Sequence, residues 1–429
     1  MDRATQSQQT LAQKGVAIIA VLASLAILGG AVAEFSTDTA VDGVSATNAR
    51  DEMQTHFLVR SGANLTQLII KLQTDVVDKY REQLGDFQIA DYAGMFMGAF
   101  GGGREEVDAM AEMLGGFKGD AIKGLGVAVG GFDVVITTDD GRINMNCANG
   151  TQQTQETLKA QLEALFYFEA FDPIFETEDA EGWRRDRATQ AAALIDYIDR
   201  DRAGFGQAGT QEEYGYETLD DRYRAKNNYI DTISELKLVR GIDDRMWTLF
   251  GDQFTAYGDC KVNIGAVSDP KLIASILFLA AKNPDDPVVK DPLKLWALSR
   301  MVIEARSWGV YFDDLQSFAD FVKDPTGSLG TLFAGEQAAG TAPVTPQPNL
   351  SGVQVEGLEL DSTKLGQVAR SGPRRVYRIE VVATVPRGVE GTGNDYVKRL
   401  VAVWDTKTQN QNSRDPSAAN GAWVYWREE

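Results

Sequence analysis

The stretch VAIIAVLASLAILGGAVA runs from Val16 to Ala33, and none of its eighteen residues is charged. As an α-helix it is about 27 Å long, which is just enough to cross the hydrocarbon core of a bilayer. It is the only run of this kind in the chain. The sequence therefore predicts one membrane-spanning helix near the amino terminus.

A short polar leader, residues 1–15, precedes this span. It contains Arg3 and Lys14, and the positive-inside tendency keeps such a leader in the cytoplasm. Everything after Glu34 is then predicted to be exported.

Three interpretations of the span are open. Ala31-Val-Ala33 is an A-x-A site, so signal peptidase could cut after Ala33 and release a soluble protein. The span could instead stay as a plain single-pass anchor. In the third interpretation a peptidase cuts on the cytoplasmic side, between Gly15 and Val16, and the apolar segment is retained.

Apolar residues continue at helical spacing beyond the span and mark one face. The set is Phe57, Leu65, Leu68, Leu72, Val76, Tyr80 and Leu84. No proline occurs between Glu34 and Pro173. We predict one long helix over residues 16–84, with its first half in lipid and its second half packed through this face on a globular head.

Length and charge exclude several classes of protein. The 429 residues are enough for two or three folded units. The net charge of −20 disfavours binding to nucleic acid and to anionic lipid. His56 is the only histidine, which excludes an HExxH zinc site and a Ser-His-Asp triad centred elsewhere. The single histidine therefore removes much of the catalytic repertoire.

The exported part begins with a Gly- and Met-rich insertion at residues 85–131. Residues 132–147 hold the first strands of a sheet, and Asp139-Asp140-Gly141 predicts the turn of a hairpin between them. Residues 148–330 have helical spacing and are predicted to form two helical subdomains that are split near residue 260.

Two Asp-Pro pairs in this region, Asp269-Pro270 and Asp291-Pro292, predict helix starts, because Asp caps a helix and Pro suits its first turn. A Pro-rich linker follows at residues 331–352. Residues 353–429 alternate with period two and predict antiparallel strands at the carboxyl end. Strands thus lie on both sides of a helical insertion.

The two cysteines, Cys147 and Cys260, flank most of the first helical part. In an oxidising compartment they would form a disulfide, which in the chain-entropy model stabilises the fold by roughly 4 kcal/mol. The alternative is two separate buried thiols, because the sequence does not give the distance between them.

Acidic side chains crowd around a Gly-rich turn after residue 195. Asp199 and Asp201, with Glu212 and Glu213, suit a hard cation such as calcium. The spacing is not that of an EF-hand. A solvated acidic helix end is the alternative interpretation.

The segment Val239-Arg-Gly-Ile242 joins two helical patches in the manner of a helix-hairpin-helix turn. Such a turn can bind DNA phosphate, but the net charge and the adjacent Asp243-Asp244 disfavour that role. We predict a turn that serves packing, and no nucleic-acid partner.

Several short motifs, weak singly but specific in their order, resemble the minor pseudopilin K family of bacterial type II secretion systems. They are Lys14-Gly15 before the span, Gly141-Arg-Ile-Asn-Met-Asn146, Leu194-Ile-Asp-Tyr-Ile-Asp-Arg-Asp201, Tyr223-Arg-Ala-Lys-Asn-Asn228, Ser234-Glu-Leu-Lys-Leu-Val-Arg-Gly241 and Tyr257-Gly-Asp-Cys-Lys-Val-Asn-Ile264.

The resemblance implies an α+β fold: a long pilin-like amino-terminal helix and an antiparallel β-sheet, interrupted by a large all-helical insertion that is SAM-like or helix-hairpin-helix-like. It also implies cleavage by prepilin peptidase after Gly15, a methylated Val16, and calcium in the head. The fifth mature residue is Ala20, where most pilins have glutamate. An unpaired carboxylate inside a membrane is energetically unfavourable. The absence of a glutamate at this position therefore fits a subunit that has no neighbouring subunit above it to pair with.

The implied role is that of a single-pass protein of the bacterial inner membrane whose periplasmic head caps the tip of a pseudopilus. The implied partners are the I- and J-type minor pseudopilins, the major pseudopilin, and a secreted substrate or outer-membrane channel. The alternative function is a calcium-dependent binding protein or hydrolase released after Ala33.

Overall fold

A computed structural model describes residues 2–80, 88–92, 130–178, 186–205, 216, 223–330, 355–386, 395–407 and 421–429, with side chains from Val16 onward. The Pro-rich linker, Leu84, Glu212 and Glu213 lie outside these residues, and so does the Gly-rich insertion apart from residues 88–92 and 130–131.

The long helix α1 spans Asp2–Asp75 and is followed by 3₁₀ turns at Val77–Tyr80 and Ile89–Tyr92. The predicted helix is therefore present, but it ends nine residues before the predicted end at residue 84.

The face of α1 that is buried differs from the predicted face. Phe57, Leu68 and Leu72 are 61%, 62% and 47% exposed. The buried side chains lie on another stripe and include four polar ones: Asp51, Thr55, Leu58, Val59, Ala63, Thr66, Ile70, Gln73 and Val77. The prediction was wrong because hydrogen bonds allow polar groups such as Thr55, which donates to the carbonyl of Asp51 at 2.9 Å, to be buried.

The strands are β1 (Gly131–Thr138), β2 (Ile143–Asn144), β3 (Phe254–Thr255), β4 (Val262–Asn263), β5 (Ala369–Arg370), β6 (Val376–Val385), β7 (Tyr396–Asp405) and β8 (Ala422–Glu428). Four of them form a sheet in the order β1-β6-β7-β8. Strands β7 and β8 are antiparallel, with a register shift between Val403 and Trp404. The predicted carboxyl-terminal meander is confirmed.

The predicted hairpin at residues 132–146 is wrong. Strand β1 pairs with β6, whereas β2 pairs in parallel with β3, so that Ile143 lies opposite Phe254. The reason is that Asp139 and Asp140 at the expected turn bind side chains and backbone from distant segments, which directs the chain away from β1.

The helices after β2 are α2 (Gln152–Phe166), α3 (Asp172–Phe175), α4 (Arg187–Asp196), α5 (Asp244–Phe250), α6 (Pro270–Ala280), α7 (Pro287–Lys290), α8 (Pro292–Ser307), α9 (Leu315–Lys323) and α10 (Ser362–Val368). Asp269 and Asp291 cap α6 and α8 through backbone N–H groups at 2.8 and 2.9 Å, with Pro in the first turn. Both predicted starts are confirmed.

A single hydrophobic core holds the helical region together. It contains Leu158, Leu162 and Leu194 from before residue 260 and Leu277 and Leu298 from after it. The structure therefore does not divide into two subdomains near that residue. The core also contains Leu365 of α10, and β5 pairs with β4, so residues 358–370 belong to the helical region and not to the predicted carboxyl-terminal strands.

Candidate functional site

The apolar part of α1 is exposed along its whole length. Val16, Leu22 and Ile27 are 67%, 60% and 73% exposed. Among the described residues, α1 is the one helix long and apolar enough to cross a membrane. Exposure of this many apolar side chains is unfavourable in water, so the segment requires a lipid or protein environment.

Gly15 and Val16, the predicted processing site, both lie within α1. The Ser24 hydroxyl donates to the carbonyl of Ala20, the fifth residue after the predicted cleavage, at 2.9 Å.

A buried charged network lies where the helical region leaves the sheet. Its centre is Asp139, which is fully buried directly after β1. Asp139 Oδ1 accepts hydrogen bonds from Arg142 and from Arg378 Nε, each at 3.1 Å. Asp139 Oδ2 accepts from Arg378 Nη2 at 2.7 Å and from the Thr255 hydroxyl at 2.9 Å. One carboxylate thus joins the end of β1 to β6 and β3.

The neighbouring Asp140 connects the same point to the segment between β5 and β6. Its Oδ2 accepts from the backbone N–H of Val376 at 2.9 Å and also from that of Arg375. Its Oδ1 pairs with Arg370. Because Asp140 is 4% exposed, these donors replace the water that a carboxylate otherwise needs.

Arg375 bridges two further carboxylates. Its Nε and Nη2 donate to the two oxygens of Asp405 at 2.8 and 2.9 Å, and its Nη1 donates to Asp259 at 2.6 Å. We name the eight residues Asp139, Asp140, Asp259, Asp405, Arg142, Arg370, Arg375 and Arg378 the charged junction. It ties the end of β1 to β5, β6, β7 and the loop that precedes β4.

Two of the arginines have a raised pKa. The hydrogen bonds that Arg375 donates to Asp405 raise the pKa of Arg375 above its ordinary value. Burial lowers the pKa of Arg378, but the charge of Asp139 outweighs this and the net shift is upward.

The asparagines of the motif at residues 141–146 connect backbone segments beside this junction. Asn146 Nδ2 donates to the carbonyls of Ile230 and Ala256 at 2.9 and 2.8 Å, and its Oδ1 accepts from the N–H of Ile230 at 2.8 Å. Asn144 Nδ2 donates to the carbonyl of Gly258 at 2.8 Å. The motif therefore serves as a set of crosslinks between stretches about a hundred residues apart in sequence.

Gly141 of the same motif is required for close approach. A Cβ atom there would lie 2.3 Å from the carbonyl oxygen of Ala266, which is closer than real Cβ atoms come. Asn263, on β4, donates through Nδ2 to the carbonyl of Gly372 at 3.0 Å. Motifs that are distant in sequence thus meet at the charged junction.

Cys147 and Cys260 form a disulfide with their Cα atoms 5.7 Å apart. Cys147 is 4% exposed, and Cys260 directly follows Asp259 of the charged junction. The disulfide therefore joins the two ends of the segment that carries the first helices.

The predicted calcium ligands are only partly described. Asp199 is 2% exposed and its Oδ2 accepts from Gln155 Nε2 at 3.3 Å. Asp201 Oδ1 accepts from the backbone N–H of Ala203 at 2.8 Å. Among the described residues no group of three or more His, Cys, Asp or Glu side chains is placed to hold a metal ion. Calcium stays a prediction, since Glu212 and Glu213 lie outside those residues.

The helix-hairpin-helix-like turn uses its backbone internally. Gly241 has a φ of 86°, and the carbonyl of Arg240 accepts from Gln190 Nε2 at 3.0 Å. The N–H of Ile242 donates to the carbonyl of Val239 at 3.0 Å. These contacts support a packing role for the turn.

Sequence reasoning missed the charged junction. The period-two pattern places Arg378 on the polar face of β6, but it does not indicate a partner for it. Three of its ion pairs, Arg378–Asp139, Arg370–Asp140 and Arg375–Asp259, join residues more than a hundred positions apart, and single-sequence patterns carry no signal for such pairs.

Residues 141–256 match the family model for protein K of the type II secretion system. No curated protein sequence matches the chain significantly. A matching solved structure is the GspK-GspI-GspJ complex from the enterotoxigenic Escherichia coli type 2 secretion system, at 13% identity and a TM-score of 0.41, covering 71% of this chain and 81% of that one. The resemblance to the protein K family is confirmed by the match over residues 141–256.

Proposed function

We propose that this chain, a relative of type II secretion protein K, is a non-enzymatic minor pseudopilin. The observation that supports this proposal most directly is the combination of one exposed apolar helix with a head whose residues 141–256 match the protein K family. The apolar helix supports a membrane anchor, and the match over residues 141–256 supports a relationship to the protein K family.

The proposed life cycle starts in the bacterial inner membrane. Prepilin peptidase cuts after Gly15 and leaves Val16 as a methylated first residue, and the head folds in the periplasm. The apolar part of α1 then moves from lipid into contact with other pseudopilin helices. Close van der Waals packing of side chains such as Leu22 and Ile27 against the partner helices stabilises this step, because lipid chains are as apolar as these side chains and supply no hydrophobic driving force.

The proposed place of the subunit is the tip of the pseudopilus. The GspK-GspI-GspJ complex joins three proteins of a type 2 secretion system, and we propose I- and J-type partners here, with the major pseudopilin below them. Ala20 lacks the carboxylate that would pair with a subunit above. The helical region then faces a secreted substrate or the outer-membrane channel.

The cleavage site tests the proposal most sharply. Mass spectrometry of the membrane-bound protein should show a chain that begins at Val16. Gly15→Leu should abolish this shortening, whereas the matched change Ala33→Leu should leave it intact. A product that begins at Glu34 would instead show a released secretory protein and would overturn the pseudopilin assignment.

The tip position needs a separate test. The head should co-elute with coexpressed I- and J-type partners, and gold-labelled antibody against it should mark filament ends. Label distributed along the filament would contradict the capping role.

We also propose that the head binds calcium. Asp199, three residues after the end of α4, is 2% exposed and offers the hard oxygen atoms that calcium prefers. The remaining ligands would come from Asp201, Glu212 and Glu213. Calcium should raise the melting temperature of the wild-type head but not that of Asp199→Asn. An equal rise in both proteins would place calcium elsewhere, and no rise in either would exclude it.

A further inference from the structure

The part of α1 between the apolar span and the buried part is exposed, and of the residues that the structure describes outside the helix, Pro386 lines a hollow beside it. Every residue from 16 to 50 is exposed, and burial begins at Asp51. Most helices in proteins depend on packing of one face, because isolated helices of this length are marginal in water. Residues 36–48 must therefore either have enough intrinsic helix propensity to remain helical or be stabilised by contact with another protein.

The composition of this segment is poor for a helix. Its thirteen residues read STDTAVDGVSATN, and only Ala40 and Ala46 are strong helix formers. The rest are Ser, Thr, Asp, Val, Asn and one Gly, all of which have lower helix propensity. Gly43 has no atom within 4 Å of an added Cβ position, so no packing contact explains its presence.

Two local features weaken the helix further. Glu34, Asp38 and Asp42 follow one another at four-residue steps, and like charges at this spacing repel. No basic residue occurs between Lys14 and Arg50 to offset them.

Hydroxyl groups also bond to the helix backbone within or beside the segment. Thr37, Thr39 and Thr47 donate to the carbonyls four residues earlier at 3.0, 2.7 and 2.9 Å. Such bonds slightly destabilise a helix and often bend it.

We propose that residues 36–48 form a helix–coil hinge that unwinds readily in the unassembled protein and is held helical when neighbouring helices cover it. The consequence for assembly rests on the proposed function: the head can turn relative to its membrane anchor until it joins the pseudopilus. The hinge itself depends only on the propensity, charge and exposure of the segment.

Hydrogen exchange on the full-length chain in detergent micelles tests the hinge. Amides of residues 38–48 should exchange at least about a hundredfold faster than those of residues 58–70, which include the buried Val59, Ala63 and Ile70. Exchange rates within tenfold of each other would overturn the proposal.

A pair of variants separates the hinge from general fraying. Thr39→Ala with Gly43→Ala replaces two poor helix formers and should slow exchange of the segment about tenfold. Ser61→Ala, which removes a similar hydroxyl bond on the exposed face outside the segment, should leave exchange at residues 38–48 unchanged. A hinge variant without effect would contradict the proposal. These results do not depend on the cleavage site, so they distinguish failure of the hinge from failure of the pseudopilin assignment.

Discussion

Asp139 illustrates at the scale of one residue how this protein uses buried charge. A carboxylate with no exposed surface is tolerable only because two arginines and a hydroxyl surround it. Removing it would leave the half-buried Arg378 of β6 without its main partner.

We therefore expect Asp139→Ala to lower the free energy of unfolding by about 3–5 kcal/mol. Urea denaturation of the head measures this change. The control is Asp133→Ala, an exposed position on β1, which should change stability by less than about 0.5 kcal/mol. Equal losses of unfolding free energy in the two variants would show that Asp139 in the charged junction stabilises the head no more than an exposed carboxylate does.

Substitutions of Gly141 and Gly366 provide a second matched pair of variants. Gly141→Ala places a Cβ against the carbonyl of Ala266 and should destabilise the head by about 2 kcal/mol or more. Gly366→Ala, within α10 and with open space around it, should stabilise by about 0.5–1 kcal/mol. Thermal melts of the two variants should therefore shift in opposite directions.

Among the single elements of the fold, the 3₁₀ turn Ile233–Leu238 begins with a capping box. Glu235 Oε1 accepts from the backbone N–H groups of Asp231 and Thr232 at 2.7 and 2.9 Å, and Lys226 pairs with the other oxygen. Burial raises the pKa of Glu235, but these bonds outweigh it and the net shift is downward.

A lowered pKa in the folded state means that this carboxylate stabilises the fold above its unfolded pKa, and that the contribution is lost as the pH falls through the folded value. Glu235→Gln should therefore cost about 1 kcal/mol at pH 7 and nearly nothing near pH 3. Urea midpoints at the two pH values check this. The control is Glu304→Gln on α8, where the carboxylate pairs with Arg300 at the surface; it should change stability at pH 7 by less than about 0.5 kcal/mol.

The disulfide connects two separate parts of the fold and does not lie within a single helix or strand. It closes a loop with a sequence separation of 113 residues, for which the chain-entropy model gives a stabilisation of about 5 kcal/mol. The double variant Cys147→Ser and Cys260→Ser should lose most of this, and reductant should lower the melting temperature of the wild type but not of the variant. A wild type that is insensitive to reductant while its thiols become titratable would contradict the estimate.

At the scale of the whole molecule, the helical region is an insertion between β1 and β6 of one sheet, so its two ends must meet. The charged junction, the asparagine crosslinks and the disulfide all lie at that meeting point. Protein K of the type II secretion system is the family matched over residues 141–256, within this insertion. Two of the six motifs quoted for the resemblance, residues 141–146 and 257–264, lie where the insertion closes.

The sequence by itself determined the features that depend on neighbours along the chain: the apolar span, the helix starts at Asp269-Pro270 and Asp291-Pro292, and the alternating carboxyl-terminal strands. Local periodicity and capping chemistry suffice for these. Only the tertiary structure decided which face of α1 is buried, that β1 pairs with β6, and that Asp139 and Asp140 bind distant arginines. These features join residues far apart in sequence, and the energy of such contacts depends on the packed chain and not on local pattern.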